Sequence, residues 1–282
     1  MSTAIRLLVC DIDGTLVRHD KSLSDANIAA VRGLADAGIA ISLISARPMS
    51  GIVEIGKALG LFGPFGAFNG GTLFDGNGIS CPPERIAGDV AMRILGILDA
   101  AKVDVWLFAN DLWYARNADN PHVPREKLSS GRDPTLRDDL SSLCHAVDKI
   151  VGVSDDAALL KRVENEMQAA TAGAATVALS QPYFLDATAL LANKGDGMVS
   201  VARAMDVPIE NVAVIGDMAN DLPMFARAGL SIAMGQAPDF VRAAADWVTA
   251  SNNDDGVARA IERLIAEKRC AFAPQPTPES RP

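Results

Sequence analysis

The features that would mark a specialised class of protein are scarce in this chain. Its 282 residues hold four cysteines, Cys10, Cys81, Cys144 and Cys270, widely scattered and without a CxxC pair. That excludes a disulfide scaffold, argues against zinc, and reads as the reduced thiols of a cytosolic protein. Lysine and arginine number 26 against 35 aspartates and glutamates, and no basic run exceeds two residues. A net charge of -9 repels nucleic acid and anionic lipid, so neither is an expected partner. No stretch reaches the ~18 apolar residues of a membrane span. The apolar run at residues 7–9 meets Asp11 too soon to be a signal peptide, so the expected location is cytoplasmic. The three histidines match no metal or triad spacing, GxSxG is absent, and there is no internal repeat.

What remains is a chain that can bury a large core, with 49% hydrophobic and 22% charged residues. Disorder and coiled coil are excluded, and the length suits one large or two ordinary domains. Residues 5–10 read as a buried strand ending at Asp11. Over residues 24–37, Ile28, Val31, Leu34 and Ala35 share one helical face, with Ser24 as cap and Gly38 as stop. A second strand, 39–44, ends at Ser45, and Pro48 opens the next helix where a missing N–H costs nothing. From residue 84 the pattern changes to a helix near 86–101 and two strands, 103–109 and 112–116, joined at Asn110-Asp111. A strand at 149–153, a helix at 156–170 and strands at 175–179 and 183–186 follow, while 117–139 is polar and yields no element. Alternation resumes after Lys194 with helix 195–205, strand 212–215, helix 222–228, strand 231–233 and helix 254–268.

The predicted class is α/β, a parallel sheet between helices interrupted by an α+β insert. The expected boundaries are 1–83 and 188–270 for the core and 84–187 for the insert. Residues 271–282, with Pro274, Pro276, Pro278 and Pro282, are expected to form a disordered tail.

Chemistry concentrates at strand ends, where open α/β sheets bind ligands. The first strand delivers Asp11-Ile12-Asp13-Gly14-Thr15-Leu16, and alternation turns Asp11 and Asp13 the same way. Converging carboxylates repel unless a cation lies between them, and oxygen-rich, thiol-free surroundings favour Mg²⁺. A capped turn with incidental acids is the plainer alternative. The strand at 212–215 ends in Gly216-Asp217-Met218-Ala219-Asn220-Asp221 and brings further acids to the same edge. A helix macrodipole accounts for Asp221 but poorly for Gly216-Asp217. Ser45-Ala46-Arg47 offers a hydroxyl and a helix N-terminus to an anion. Lys194 opens a helix, where a cation is misplaced unless an anion offsets it. Alone, Ser45 reads as a cap and Lys194 as a surface lysine; their order and placement make the set informative. Residues 51–57 fit GxxxxGK, but Ala58 replaces the Ser or Thr of a P-loop, and Ile52, Ile55 and Leu59 suit an amphipathic helix.

DIDGT at 11–15, Ser45-Ala46-Arg47, Lys194-Gly195 and the GDxxND run at 216–221 resemble the four motifs of the haloacid dehalogenase (HAD) superfamily. The closer likeness is to its Cof-type, or IIB, phosphatases, supported by Phe68-Asn69-Gly70-Gly71, by 233–237 and by 249–258. The resemblance implies a HAD-like Rossmannoid core with helices on both faces of a parallel sheet, and an α+β cap. It implies Asp11 as nucleophile forming an aspartyl-phosphate and Asp13 as acid and base toward leaving group and water. Mg²⁺ would be held by Asp11, the Asp13 carbonyl and Asp217, with Asp221 supporting them. Ser45, Lys194 and Asn220 would bind phosphoryl oxygens, joined by Gly14, Thr15 and Ala46, while Arg47, Asn69 and Gly70 would lie near substrate or cap. The implied partner is a small phosphate ester such as a sugar phosphate; monomer and homodimer both remain open. A phosphomutase and an aspartate phospho-acceptor module are the rival readings, the latter disfavoured by the second domain. Ala46 departs from the usual Gly and Gln236 from the usual Asn. Trp106, Trp113 and Tyr114 are expected in the cap's packing, with Trp113, Tyr114 or Arg116 as alternative substrate contacts.

Overall fold

The computed structural model describes residues 4–272; of the expected tail at 271–282, residues 271 and 272 continue the last helix and 273–282 lie outside the described residues. The N-terminal part supplies β1 (Leu7–Cys10), α1 (Asp25–Asp36), β2 (Ala40–Leu43), α2 (Met49–Leu59), β3 (Phe65–Ala67), β4 (Thr72–Asp75) and β5 (Gly78–Ile79). The middle supplies α3 (Gly88–Ala100), β6 (Asp104–Ala109), β7 (Leu112–Ala115), α4 (Val123–Ser130), β8 (Thr135–Leu136), β9 (Val147–Val153), α5 (Ala157–Thr171), β10 (Ala175–Gln181) and β11 (Phe184–Ala189). The chain returns through α6 (Lys194–Ala204), β12 (Val212–Gly216), α7 (Leu222–Phe225), β13 (Leu230–Ala233), α8 (Asp239–Arg242), β14 (Trp247–Val248) and α9 (Gly256–Phe272).

Five parallel strands in the order β14-β13-β12-β1-β2 form the first sheet. β1 and β12 are buried throughout, as apolar strands covered on both faces must be. Val31, Leu34, Ile261 and Leu264 of α1 and α9 pack on one face; Met198, Val201 and Met224 of α6 and α7 pack on the other. From β1 the chain moves outward to β2, then re-enters on the opposite side at β12, so the strand order reverses between β1 and β12. Ligands of open sheets bind at the carboxyl end of such a switch point. Register places Cys10 between Ile215 and Leu43, so Asp11, Asp217 and Ser45 leave the sheet along one edge.

Local signals account for the boundaries. Ser24 accepts from the Asn27 N–H at the start of α1, and Gly38 takes φ +64° just beyond its end. Pro48 stands at the cap of α2, one position before the expected first turn. The GxxxxGK run lies inside α2, whose N–H groups are engaged by the helix rather than free for phosphate.

The second sheet has the order β10-β11-β9-β6-β7-β8. Asn110 and Asp111 both take positive φ between β6 and β7, as a tight hairpin of right-twisted strands requires. Val105, Leu107, Ile150 and Leu185 pack beneath α3 and α5 on one face. Trp106, Phe108, Trp113, Val151 and Phe184 on the other join a cluster that includes Leu16 and Phe68, so this sheet lies over the strand ends of the first. β10 and β11 run to Gln181 and Ala189, further than their apolar residues alone suggest. α4 was not expected, although Pro124 in its first turn and Gly131 in the left-handed conformation after it are ordinary helix punctuation. No helix among the described residues is long and apolar enough to cross a membrane.

Candidate active site

Asp11 is the first residue beyond β1, its N–H still bonded to the Ile215 carbonyl at 3.0 Å. Its Oδ1 accepts from Lys194 Nζ at 2.6 Å, and the same ammonium donates to Asp221 Oδ1 at 2.6 Å. Lys194 sits at the start of α6, capped by the Asn193 side chain, with its ammonium buried. The carboxylate below it explains a cation at the wrong end of a helix dipole. Asp221 Oδ2 accepts from the N–H groups of Asp217 and Met218, each at 2.9 Å, which closes the GDxxND loop on itself. Gly216 and Gly14 are required by closeness: a Cβ on Gly216 would stand 2.3 Å from Asp221 Cγ, and one on Gly14 2.3 Å from Asp217 Oδ2. Gly14 also takes φ +82°.

Carboxylate oxygens of Asp11, Asp217 and Asp221 lie within 4.8 Å of one another, all buried. Burial pushes Asp11 up to about 6, with Lys194 opposing and Asp221 adding to the shift. Burial, then Asp11 and Asp221, raise Asp217 well above the usual carboxylate range. Burial disfavours the charge on Lys194, but Asp11 and Asp221 outweigh it and hold its pKa above the ordinary lysine value. Three acids around one ammonium leave an excess of buried negative charge, and an all-oxygen donor set fits a hard divalent cation such as Mg²⁺.

The Asp13 carboxylate does not join this cluster. It forms a two-point pair with Arg47, Nε to Oδ2 and Nη2 to Oδ1 each at 2.7 Å, and a further ion pair with Lys21. Burial would raise it, but Arg47 and then Lys21 prevail and hold it well below the usual range. The expected gathering of four carboxylates is thus a group of three, because a strand geometry that ends at Cys10 no longer governs Asp13. Only the main chain of Asp13 remains available to the metal group.

Ser45 is buried beside Asp11 in the cleft wall, its Oγ accepting from the Arg47 N–H at 3.2 Å. Ala46 and Asn220 border the same cleft, and Asn220 Nδ2 donates to Asn69 Oδ1 at 3.3 Å. Thr15 does not reach the cleft: its hydroxyl donates to Asp217 Oδ1 at 3.4 Å and steadies the acidic group instead. Gly70 also turns away, packed so closely on α6 that a Cβ would stand 2.4 Å from Gly197 Cα. Gln236 uses its extra methylene to span two loops, donating to the Gly14 carbonyl at 2.6 Å and accepting from the Asn252 N–H at 3.0 Å.

Sequence reasoning missed the opposite wall. Arg125, Glu126 and Ser129 of α4, Lys149 of β9, and Ser180, Gln181, Tyr183 and Phe184 face the core across the cleft. Lys21 reaches it from the turn after Asp13. Only the helix punctuation around α4 could have signalled any of them. Trp113 packs against Trp106 and Phe108, Tyr114 packs on the far face, and Arg116 pairs with Asp99, so none of the three lines this cleft.

A profile of the haloacid dehalogenase-like hydrolases matches residues 8–261. The chain belongs to that family. The hydrolase is 26% identical over 262 residues to the 5-amino-6-(5-phospho-D-ribitylamino)uracil phosphatase YcsE of Bacillus subtilis, covering 93% of this chain and 96% of that one. A solved haloacid dehalogenase-like hydrolase from Bacteroides thetaiotaomicron superposes with a TM-score of 0.79 at 29% identity, over 92% of this chain and 99% of that one. The HAD subclass IIB sugar phosphatase BT4131 shares the fold, with a TM-score of 0.80 at 23% identity over 92% and 98% of the two chains. The family match agrees with the resemblance carried by the four motifs.

Proposed function

We propose that the hydrolase cleaves small phosphate monoesters through an aspartyl-phosphate on Asp11. The observation that carries this reading is the buried ammonium of Lys194 held between Asp11 and Asp221, beside Asp217, at the switch point of the sheet. Asp11 attacks phosphorus as the ester P–O bond breaks and the departing alkoxide takes a proton. Water then attacks phosphorus, the bond to Asp11 breaks, and inorganic phosphate leaves. Lys194 and Ser45 hold phosphoryl oxygens and lower the repulsion between carboxylate and phosphate dianion. Mg²⁺, held by Asp11, Asp217 and the Asp13 carbonyl with Asp221 in support, supplies further charge neutralisation when bound.

Asp13 handles the protons. Arg47 and Lys21 favour its ionised form, the form that accepts a proton from water in the second step. A phosphate dianion arriving beside it favours the protonated form needed for the leaving group in the first. Residues 84–187 act as the cap closing over a core of 1–83 and 188–270, with cap residues choosing the ester. The buried, unpaired thiols of Cys10 and Cys144 support a cytoplasmic setting.

The test is phosphate release from a panel of small esters with Mg²⁺ and with EDTA, alongside Asp11→Asn. Metal-dependent release abolished by the substitution is expected. Undiminished release from folded Asp11→Asn would reject the nucleophile, and no release from any ester by the metal-loaded protein would reject the activity.

A further inference from the structure

The cap side of the cleft holds two buried carboxylates that the chemistry above does not use. Asp186 of β11 is 5% exposed, and its oxygens have only the Ser180 hydroxyl and the Lys149 ammonium nearby, neither in close hydrogen-bond geometry. The nearest cation is Lys149, directly across from Thr188 on β9. Its Nζ stops 3.6 Å from Asp186 because it donates to the Ala46 carbonyl at 2.9 Å and lies over the Phe108 ring at 4.7 Å. Glu126 of α4 is 6% exposed, and its carboxylate takes no hydrogen bond or ion pair among the described residues. Burial pushes Glu126 up to about 7, with Lys149 opposing and Asp13 and Asp186 adding to the shift.

These carboxylates border adjoining spaces around Lys194. Glu126 borders the cleft with Asp11 and Asp13, and Asp186 borders the cavity behind Lys194 with Asn69 and Thr188. Ser180, Lys194 and Asn220 border both, so the two adjoin. A buried carboxylate is costly unless donors reach it. Here Lys149, already engaged by Ala46, is the main cation facing both acids.

We propose that Asp186 and Glu126 select the leaving group, accepting hydrogen bonds from the hydroxyl or amino groups of an uncharged polyhydroxylated moiety and repelling one that carries a second anion. This rests on the phosphomonoesterase reading and adds to it the residues that decide between esters. Arg125 is the competing feature. It lies 5.9 Å from the Tyr183 ring centroid, and it borders a neighbouring space with His19, Lys21 and Gln236 where an anion would be welcome. If Arg125 governed instead, the hydrolase would favour a second negative charge.

The experiment compares kcat/KM for sorbitol 6-phosphate and 6-phosphogluconate, which share chain length and phosphate but end in a hydroxymethyl or a carboxylate. The wild type is expected to favour the polyol by about tenfold or more, the scale of one unfavourable charge contact. Asp186→Asn and Glu126→Gln keep shape and an acceptor oxygen while removing charge, and each is expected to shrink the ratio by about threefold or more. The ratio cancels any change in active fraction. Parity or a preference for the carboxylate in the wild type overturns the proposal even if a variant fails to fold. An unchanged ratio in folded variants overturns it as well. Mg²⁺-dependent hydrolysis of p-nitrophenyl phosphate by the wild type separates the two levels. If it is present while the ratio fails, only the selection is lost; if it is absent, the phosphatase reading and the selection fall together.

Discussion

At the scale of single residues, Asp221 shows how one buried carboxylate holds another group in place. Its carboxylate is fully buried, receives two main-chain N–H groups and the Lys194 ammonium, and thereby fixes Lys194 against Asp11. Asp221→Ala leaves an ammonium and two amides short of a partner, and is expected to cost about 3–5 kcal/mol of stability. Chemical denaturation checks this, and a loss below about 1 kcal/mol would show the buried pair to be replaceable. Asp13 has a different signature. Because its assigned work is proton transfer, Asp13→Asn is expected to lose least on p-nitrophenyl phosphate, whose leaving group needs no proton, and most on alkyl phosphates. Equal losses on both would remove that role.

At the scale of elements, the contact between α2 and α4 joins the two sheets' layers across the cleft. Gly51 on α2 packs so closely on α4 that a Cβ would stand 2.0 Å from the Ser129 carbonyl. Ser50 Oγ donates to the Ser130 carbonyl at 2.7 Å in the same contact. Gly51→Ala improves the intrinsic helix propensity of α2 by about 1 kcal/mol while forcing α4 away. The expected outcome is a fall in kcat/KM without a matching fall in melting temperature, since Arg125 and Glu126 travel with α4. Unchanged kinetics would mean that the helix contact does not position the cap wall. The length of β10 and β11 belongs to the same scale: Asp186 and Thr188 stay in strand because both are paired to β10 and β9, although they are polar and border a cavity.

For the whole molecule, the proposed metal site sets proton and metal in competition for one group of acids. Asp11 rises from its ordinary value to about 6 and Glu126 to about 7, so their ionised forms are disfavoured in the folded, metal-free state. A carboxylate raised on folding contributes stability below its ordinary pKa and loses that contribution as pH climbs through the raised value. Asp13, held low by Arg47 and Lys21, contributes in the opposite sense, but only strong acid removes it. Between about pH 5 and pH 8 the raised groups therefore dominate, and in EDTA they make melting temperature fall with rising pH. On the proposed metal site Mg²⁺ would displace protons from Asp11 and Asp217, so its stabilising shift is expected to be larger at about pH 8 than at about pH 5.5. Thermal melts with Mg²⁺ and EDTA at both pH values check this, and a pH-independent shift would show that the raised carboxylates are not the metal's ligands.

The sequence by itself determined the strands that end in Asp11, Ser45 and Asp217, because a buried strand followed at once by polar residues is a local pattern with one reading. It also determined the capped helices and the insertion of a second sheet between residue 84 and Lys194. The motif resemblance assigned roles at those same strand ends. What only the tertiary structure decided was pairing across distance. Asp13 turned to Arg47 and Lys21 rather than to Asp11, Thr15 turned to Asp217, and Gly70 turned to α6. The cap wall of Glu126, Lys149 and Asp186 lay hidden for the same reason: each is an ordinary charged residue in its own segment. Their common burial arises only when one sheet is laid over the edge of another.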